Sequence, residues 1–557
     1  MTHRRLVIAA LPALLLAASP AVAQRALGIG GDASTLPVGV ARIGTSVIWD
    51  RANERYDADG KLRPLGASAG APSWNGSYDA RLAAAAPLVS ALAGISSFDA
   101  SLGALSVGRR DASTDAVFAA EVGVLSRLTV GARIRVANHA IEPRVILNPG
   151  RVEGTMGFNP AWVNTVARDR NALLLSQFDS AVAQTTRRIA QCQASPSSPG
   201  CAAIAANVAG AQALVGNATA FAAALNQLYG GRTNSAGLPF VPVANGVAQQ
   251  AISQRVQGYR DQFAAFGSSI IGSTGPAGAA LFSPTDLATL LVDSLYGYQM
   301  RPLRTVHAYG VGEVSLHAKA RLFDMLGADT ASIQGFAVRQ ALGASLRLNG
   351  GSTPDAAEPF APVTGDGGRG MALQSFTDVF YGNRWTATLV VGLSTSQAEE
   401  FAARIPDVTA PSVGGVAFPL MPADRDVRLS RTAGSRVDVS LTPRVSLTRN
   451  IRLGASWILA RQGADSWRIS SLSTPEGAAA PNQEDANHWA AGTDWSEQRL
   501  SLGGTYSTVA AANTGRAELA FDVTYEHEQT IAGSGARVPH LSRDVLSVRW
   551  YPRLWGR

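Results

Sequence analysis

The side chains that could do covalent chemistry in this chain are few. His317, His488, His527 and His540 are the candidates for a general base beside a serine, since a neutral imidazole can take the proton of an attacking hydroxyl. No Gly-x-Ser-x-Gly elbow leading into a helix accompanies them, and Glu526-His527-Glu528 reads as the polar end of a strand. Gly365-Asp366-Gly367-Gly368 lacks the strand and helix that a phosphate-cradling loop needs, and reads as an outer loop. Cys192 and Cys201, the two cysteines, flank a loop rich in serine and proline. They are expected to close a helical hairpin as a disulfide, and no histidine lies close enough in sequence to make them a metal site. The residues point to no catalytic site, no metal and no cofactor.

The other charged residues fall into a pattern. Leu128, Val130, Ala132, Ile134 and Val136 alternate with Thr129, Arg133 and Arg135; Val314, Leu316, Ala318, Ala320 and Leu322 alternate with Glu313, Ser315, His317, Lys319 and Arg321. The same phase returns at Val437, Val439 and Leu441 against Arg436 and Asp438, at Ile451 to Leu459 against Arg452, and at Ala517 to Tyr525 against Glu518, Asp522 and Glu526. Successive side chains on a strand point to opposite faces, so each segment has one oily and one charged side. A soluble sandwich also alternates, with its polar face outward. Export, length and connectivity separate the two.

His3, Arg4 and Arg5, an apolar stretch over 6–17 and Ala21-Val22-Ala23 form a secretory signal with cleavage after residue 23. A membrane helix takes about 20 apolar residues, more than this segment offers before Pro12 interrupts it. The hydrophobic share of 46% is ordinary, as expected where lipid-facing residues are diluted by inward polar ones. The net charge of +7 comes almost wholly from arginine, interleaved with acids along strands; with export, this excludes nucleic acid as a partner.

Strands are expected near 31–50, 62, 102–110, 114–125, 128–140, 310–323, 332–348, 371–381, 384–395, 427–443, 451–461, 497–508, 517–528 and 542–551. Short and long connectors alternate between them, which is the habit of an outer-membrane barrel. The fold class is thus an all-β transmembrane antiparallel barrel of about 14 strands, within a range of 12–16, with a large α-helical insertion. Residues 1–23 are the signal, 24–158 the first strands with a short helix over 78–95, 159–298 the helical insertion, and 299–557 the remaining strands. Asn159-Pro160 and Ser283-Pro284 are helix starts, and helices are expected over 161–191, 202–229 and 246–266. The insertion leaves from the outer side, where it could cap the mouth or fold into the lumen.

This phase places Glu121, Arg133, Arg135, Glu313, His317, Lys319, Arg321, Arg436, Asp438, Arg452, Glu518, Asp522 and Glu526 in the lumen, with Arg499 and Arg549 beside them. A charge on the lipid side would cost about 2–4 kcal/mol at the midplane, which gives the assignment energetic force. Charges of both signs can pair across the wall or hold a hydrated path open.

Leu36-Pro37-Val38-Gly39-Val40-Ala41-Arg42 followed by Asp57-Ala58-Asp59-Gly60, the stretch Glu121 to Gly131, and Gly310-Val311-Gly312-Glu313-Val314 resemble segments of outer-membrane transporters related to the phenol meta-pathway family. More distantly they resemble the long-chain fatty-acid type of channel. The resemblance implies a passive outer-membrane channel for small, hydrophobic or aromatic compounds, reached after Sec export in a Gram-negative-type bacterium and narrowed by the insertion. No energy-coupling domain is expected before the first strand. The partners expected are outer-membrane lipid, the barrel assembly machinery and the small permeant. The alternatives are a barrel that displays the insertion as a surface-binding domain, and a barrel enzyme acting on lipid.

Overall fold

In the computed structural model, residues 31–149, 153–231, 237–294, 297–326, 335–348, 350–365, 368–404, 420, 426–472, 492–513, 516–535 and 538–555 are described. The signal segment and His488 lie outside them. Twelve strands close into one antiparallel barrel: β1 (Ala41–Ala52), β2 (Leu105–Leu125), β3 (Leu128–Leu147), β4 (Val306–Asp324), β5 (Phe336–Leu348), β6 (Gly370–Tyr381), β7 (Trp385–Ser396), β8 (Arg436–Ser446), β9 (Ile451–Gln462), β10 (Trp495–Ser507), β11 (Phe521–Ser534) and β12 (Ser542–Trp550). Each pairs with the next in sequence, and β12 pairs with β1 from Ile43↔Trp550 to Arg51↔Ser542. Closure removes the sheet edges that would otherwise carry unpaired backbone groups.

The phase read from the sequence holds around the wall. Ile43, Phe118, Ile134, Leu316, Leu342, Leu373, Leu389, Leu441, Leu453, Leu502, Tyr525 and Leu546, one from each strand, are all exposed. Their neighbours on the other phase, including Ser46, Asp115, Thr129, Ser315, Asp378, Thr388, Thr442, Ser456, Ser501, Thr524 and Ser547, are buried. Oily outside and polar inside is the reverse of a soluble sandwich. In water so continuous an apolar surface would drive aggregation; acyl chains satisfy it.

Twelve strands rather than fourteen follow from two corrections. Residues 102–110 and 114–125 are not two strands: Leu105–Leu125 is a single ribbon whose ladder with β3 runs from Leu105↔Leu147 to Leu125↔Leu128. At about 3.3 Å per residue it is far longer than an apolar band of about 25 Å needs, so its upper part stands clear of the membrane. The segment near Leu62 forms a three-residue strand (Leu62–Pro64), which joins Glu54–Tyr56 and Val538–Pro539 in a small sheet outside the barrel. The stretch expected as one strand over 427–443 is also two. Asp426–Thr432 pairs with Glu399–Arg404 and Ser466–Leu472 above the rim, and the barrel strand begins at Arg436.

The insertion is helical, as expected. It comprises Pro160–Val163, α2 (Thr165–Ala194), Ala202–Ala206, α3 (Val208–Tyr229), α4 (Val247–Ala265) and α5 (Pro284–Val292), preceded in the chain by α1 (Ala80–Ala93). Asparagines divide it more finely than hydrophobic periodicity does. Asn164 Oδ1 accepts from the amides of Val166 and Ala167, and Asn207 Oδ1 from that of Gly210. Each side chain restarts a helix by satisfying amides that have no intrahelical partner. Asn159 and Ser283 cap as read, the latter in a capping box with Asp286. Cys192 and Cys201 are joined by a disulfide between the end of α2 and the next short helix. Phe178, Leu225, Tyr229, Ile252, Val256, Phe263 and Leu290 share one core with Leu82 and Leu92 of α1 and with Leu105, Val107 and Ile141 at the tops of β2 and β3. The helices are therefore packed onto the tall strands on the side of the long connectors.

Candidate functional site: an occupied lumen

The lower lumen is crossed by the chain itself. Residues 31–40, read from sequence as the start of the first strand, are irregular and lie within the barrel. Ala33 is fully buried among Ala341, Phe376 and Val390 on the inward faces of β5, β6 and β7. Its amide donates to Asp378 Oδ2 (3.0 Å) on β6, and the amide of Leu36 donates to Thr129 Oγ1 (2.8 Å) on β3. Lys319 on β4 donates to the carbonyl of Asp32 (3.1 Å), and its ammonium sits 5.3 Å from the Phe376 ring centre. The positive charges of Lys319, Arg444 and Arg42, from β4, β8 and β1, act together on the Asp32 carboxylate. The strap is thus tied to β3, β4 and β6 inside the bore.

At the wall Gly39 has φ +77°, and a β-carbon there would come within 2.0 Å of the Trp555 carbonyl oxygen. Only glycine fits this left-handed turn under the C-terminal segment. The amide of Leu554 donates to the Gly39 carbonyl (2.7 Å), so the two ends of the barrel chain lock each other.

The charges of the inner wall form four networks. Beside the strap, Glu121 pairs with Arg42 and with His317 Nε2 (2.9 Å); Arg321 and Arg339 share Asp324 (2.9 and 3.1 Å). Higher up, Arg135 holds Asp115 (2.5 Å) with His139 (3.2 Å). From β10 round to β1, Arg499 and Arg543 flank the fully buried Glu528 (3.0 and 3.6 Å), and Arg543 also binds Asp50 (2.7 Å). An inward charge in a closed tube has lost much of its water, and pairing is what makes its burial tolerable.

Among the residues expected in the lumen, Glu121, Arg135, His317, Lys319 and Arg321 lie in these networks, and Arg436 pairs with Asp438 (2.7 Å) higher on the wall. Arg133, Glu313 and Glu526 sit on the inward phase, with Arg133 opposite Ser315 and Glu313 opposite Arg135. Arg452 is inward and exposed near the short turns, and Asp522 accepts from Tyr551 Oη (2.5 Å). Glu518 is the exception: it lies exposed on the connector before β11. The Thr508 hydroxyl donates to the Leu519 carbonyl (2.6 Å) and accepts from the Phe521 amide (3.0 Å), so strand pairing begins only at Phe521. Asp32, Asp378 and Arg444 were missed. Asp378 sits on the inward phase of the strand expected over 371–381, and that phase was the signal for it; Arg444 lies one residue beyond the end expected for its strand, which runs to Ser446.

The other histidines expected to do chemistry have carboxylate and amide partners: His527 with Asp544 (2.9 Å), and His540 with Glu54 (3.5 Å) and Gln529 (3.3 Å). Among the described residues no group of three or more His, Cys, Asp or Glu could hold a metal ion.

Above the barrel, Asp79 caps α1, accepting from the Arg81 amide (2.9 Å), and receives the Tyr298 hydroxyl (2.7 Å). Burial would raise its pKa, but the Arg81 guanidinium at 2.6 Å outweighs this and holds the carboxyl below the usual range. Burial, reinforced by the Asp79 charge, pushes the Tyr298 phenol well above its ordinary value. The Arg81 guanidinium lies 5.3 and 5.2 Å from the ring centres of Phe240 and Tyr298, so one charged cluster pins α1 to the chain on either side of α4 and α5.

No protein-family profile and no curated protein matches this chain. Among solved structures it is similar to an outer membrane channel from Pseudomonas putida F1, with 9% identity over 94% of this chain and 98% of that one, at a TM-score of 0.38. It is similar also to a Pseudomonas aeruginosa FadL homologue (9% identity, 93% of this chain and 90% of that one, TM-score 0.24) and to the Pseudomonas putida toluene transporter TodX (8%, 93% and 90%, 0.22). Overlap this loose leaves fold and site to rest on the geometry of the chain itself. That geometry defines a closed β-barrel with a lipid-facing exterior and an occupied polar bore.

Proposed function

We propose that this protein is an outer-membrane channel for passive passage of small compounds, including hydrophobic and aromatic ones, and that the strap over residues 31–40 and the helical insertion narrow it. The observation that carries this reading is the strap: a segment held inside a polar bore by two backbone amides and one ammonium–carbonyl hydrogen bond is an obstruction that can be displaced. The inner wall supports a preference for aromatic permeants. Phe380 and Trp495 face inward with Arg339 and Arg436 5.3 and 5.2 Å from their ring centres, which gives flat apolar surfaces inside a charged tube, and Phe376 lies beneath the strap. Because most charges are paired with opposite ones nearby, the bore carries little net field to select ions.

The test is single-channel recording of the purified chain in planar bilayers, with liposome swelling in small aromatic solutes. Discrete conductance steps, together with faster entry of aromatic than of equally sized sugar solutes, support the proposal. A protein that inserts as a heat-modifiable barrel but shows neither conductance nor swelling contradicts it.

A further inference from the structure

The outer wall of the barrel carries a hollow near the long connectors. Where β5, β6 and β7 reach the side of the long connectors, a groove of about 430 Å³ is lined by Leu346, Leu348, Met371, Arg369, Thr395 and Gln397. Register explains their order. Met371 pairs with Leu346 and with Thr395, so all three lie on the outward phase. Arg369, two residues before Met371, continues that phase, and its carbonyl accepts from the Gln397 amide (2.8 Å). Leu346, Leu348 and Met371 are exposed, and their file runs down into the lipid-facing surface at Leu342 and Leu373. Going outward, apolar floor gives way to hydroxyl, amide and guanidinium.

Arg369 is exposed, and among the described residues no carboxylate forms an ion pair with it. More cations follow along the same side. Arg461 ends the outward phase of β9, and Arg428 and Arg468 are exposed on the outer face of the small sheet above the rim, a phase they share with Glu400 and with Asp426, which is paired with Arg404 (2.8 Å). On the opposite face of that sheet Leu429 and Trp467 are buried, so the arginines are committed outward.

We propose that this groove binds a phosphorylated, acylated glycolipid of the outer leaflet, with acyl chain on Leu346, Leu348 and Met371 and phosphate on Arg369, the neighbouring arginines holding further anionic groups. A phosphomonoester on a sugar brings anionic charge and acceptor oxygens to a guanidinium that offers a fork of donors. A zwitterionic phospholipid would bring an ammonium into the same row of arginines and is disfavoured. The inference rests on the reading that the long connectors face outward in an outer membrane, but not on conductance.

The experiment is a binding titration of the full chain in detergent micelles, followed by native mass spectrometry, with bis-phosphorylated lipid A, its dephosphorylated form, phosphatidylethanolamine and inorganic phosphate as probes. The bis-phosphorylated form is expected to bind at least tenfold more tightly than the dephosphorylated one. Arg369→Gln should cost about tenfold, the loss of one charge-assisted contact, and the Arg369→Gln, Arg428→Gln, Arg468→Gln triple variant should fall to the level of the dephosphorylated form. Equal binding of the two forms, binding unchanged in the triple variant, or full competition by inorganic phosphate would each overturn the proposal. Heat-modifiability shows that each variant is folded. Conductance of the same preparations reports separately on the channel, so failure of the lipid site and failure of the pore are distinguishable.

Discussion

Replacing Asp32 with alanine removes the strap's contribution to the central ion cluster without altering any barrel strand. The carboxylate is acted on by Lys319, Arg444 and Arg42, accepts from the Ser34 amide at 3.0 Å, and is enclosed in the bore. The attraction of the carboxylate to these cations, none of them in contact with it, amounts to about 1–3 kcal/mol at an effective dielectric of about 20, and here the loss falls on the docked state alone, since a released strap is hydrated either way. Taking the upper figure, the ratio of released to docked strap rises by about two powers of ten. A strap released less than about 1% of the time in the parent would then be free for a large part of it. The amide bonds to Asp378 and Thr129 remain, so the strap is loosened rather than lost. The assay is planar-bilayer recording of parent and Asp32→Ala, scored as the fraction of time in the larger conductance level. Ser34→Cys in each background, probed with a water-soluble thiol reagent, gives an independent measure of release. If Asp32→Ala folds as a heat-modifiable barrel and both readouts match the parent, the strap is not held by this cluster and the reasoning fails.

Other outcomes follow from the same geometry. Gly39→Ala puts a β-carbon 2.0 Å from the Trp555 oxygen on a backbone at φ +77°, so it should lower the temperature at which the folded band disappears on a gel, whereas Gly382→Ala, with open space at its turn, should lower it less. Cys192→Ser with Cys201→Ser should destabilise the insertion by about 2–3 kcal/mol, seen as faster trypsin cleavage at Arg187 and Arg188 while the barrel remains protease-resistant. The Asp79 carboxyl has a folded pKa below its unfolded value, so it stabilises the fold above the ordinary carboxylate range and this stability is lost as pH falls through the folded pKa. Near-UV dichroism from the buried Trp74 and Tyr298 should therefore fall on acidification, and Asp79→Asn should flatten that dependence.

Where alternation was long, the strands and their inward residues were legible in the sequence. Glu121, His317, Lys319 and Asp438 reach the bore because each stands between outward apolar residues, and a one-residue slip would put charge into lipid. Legibility failed where a local bond or a distant contact outweighs pattern. Thr508 captures backbone groups at Leu519 and Phe521 and so takes Glu518 off the strand. Val38 and Val40 continue the phase of β1, yet the left-handed turn at Gly39 breaks it, and a single sequence does not reveal that Trp555 lies above that turn. The strap was invisible for a similar reason. Its anchors Thr129, Lys319 and Asp378 come from three separate strands, and only the register of those strands brings them together. The long β2 ribbon was split in two because its polar upper part, Arg109 to Thr114, stands outside the membrane and has no need to alternate.

The most direct test of the whole account uses two adjacent positions in the middle of β8. Ser440→Cys and Leu441→Cys are each spin-labelled in reconstituted membranes, and collision with lipid-soluble oxygen is compared with collision with a water-soluble nickel chelate. Leu441, exposed on the outer wall, should favour oxygen, and Ser440, one residue away on the inner phase, should favour the chelate or be shielded from both. Equal accessibility at the two sites, or a chelate-accessible label at Leu441, would mean that the oily face does not meet lipid and that the barrel does not span the membrane.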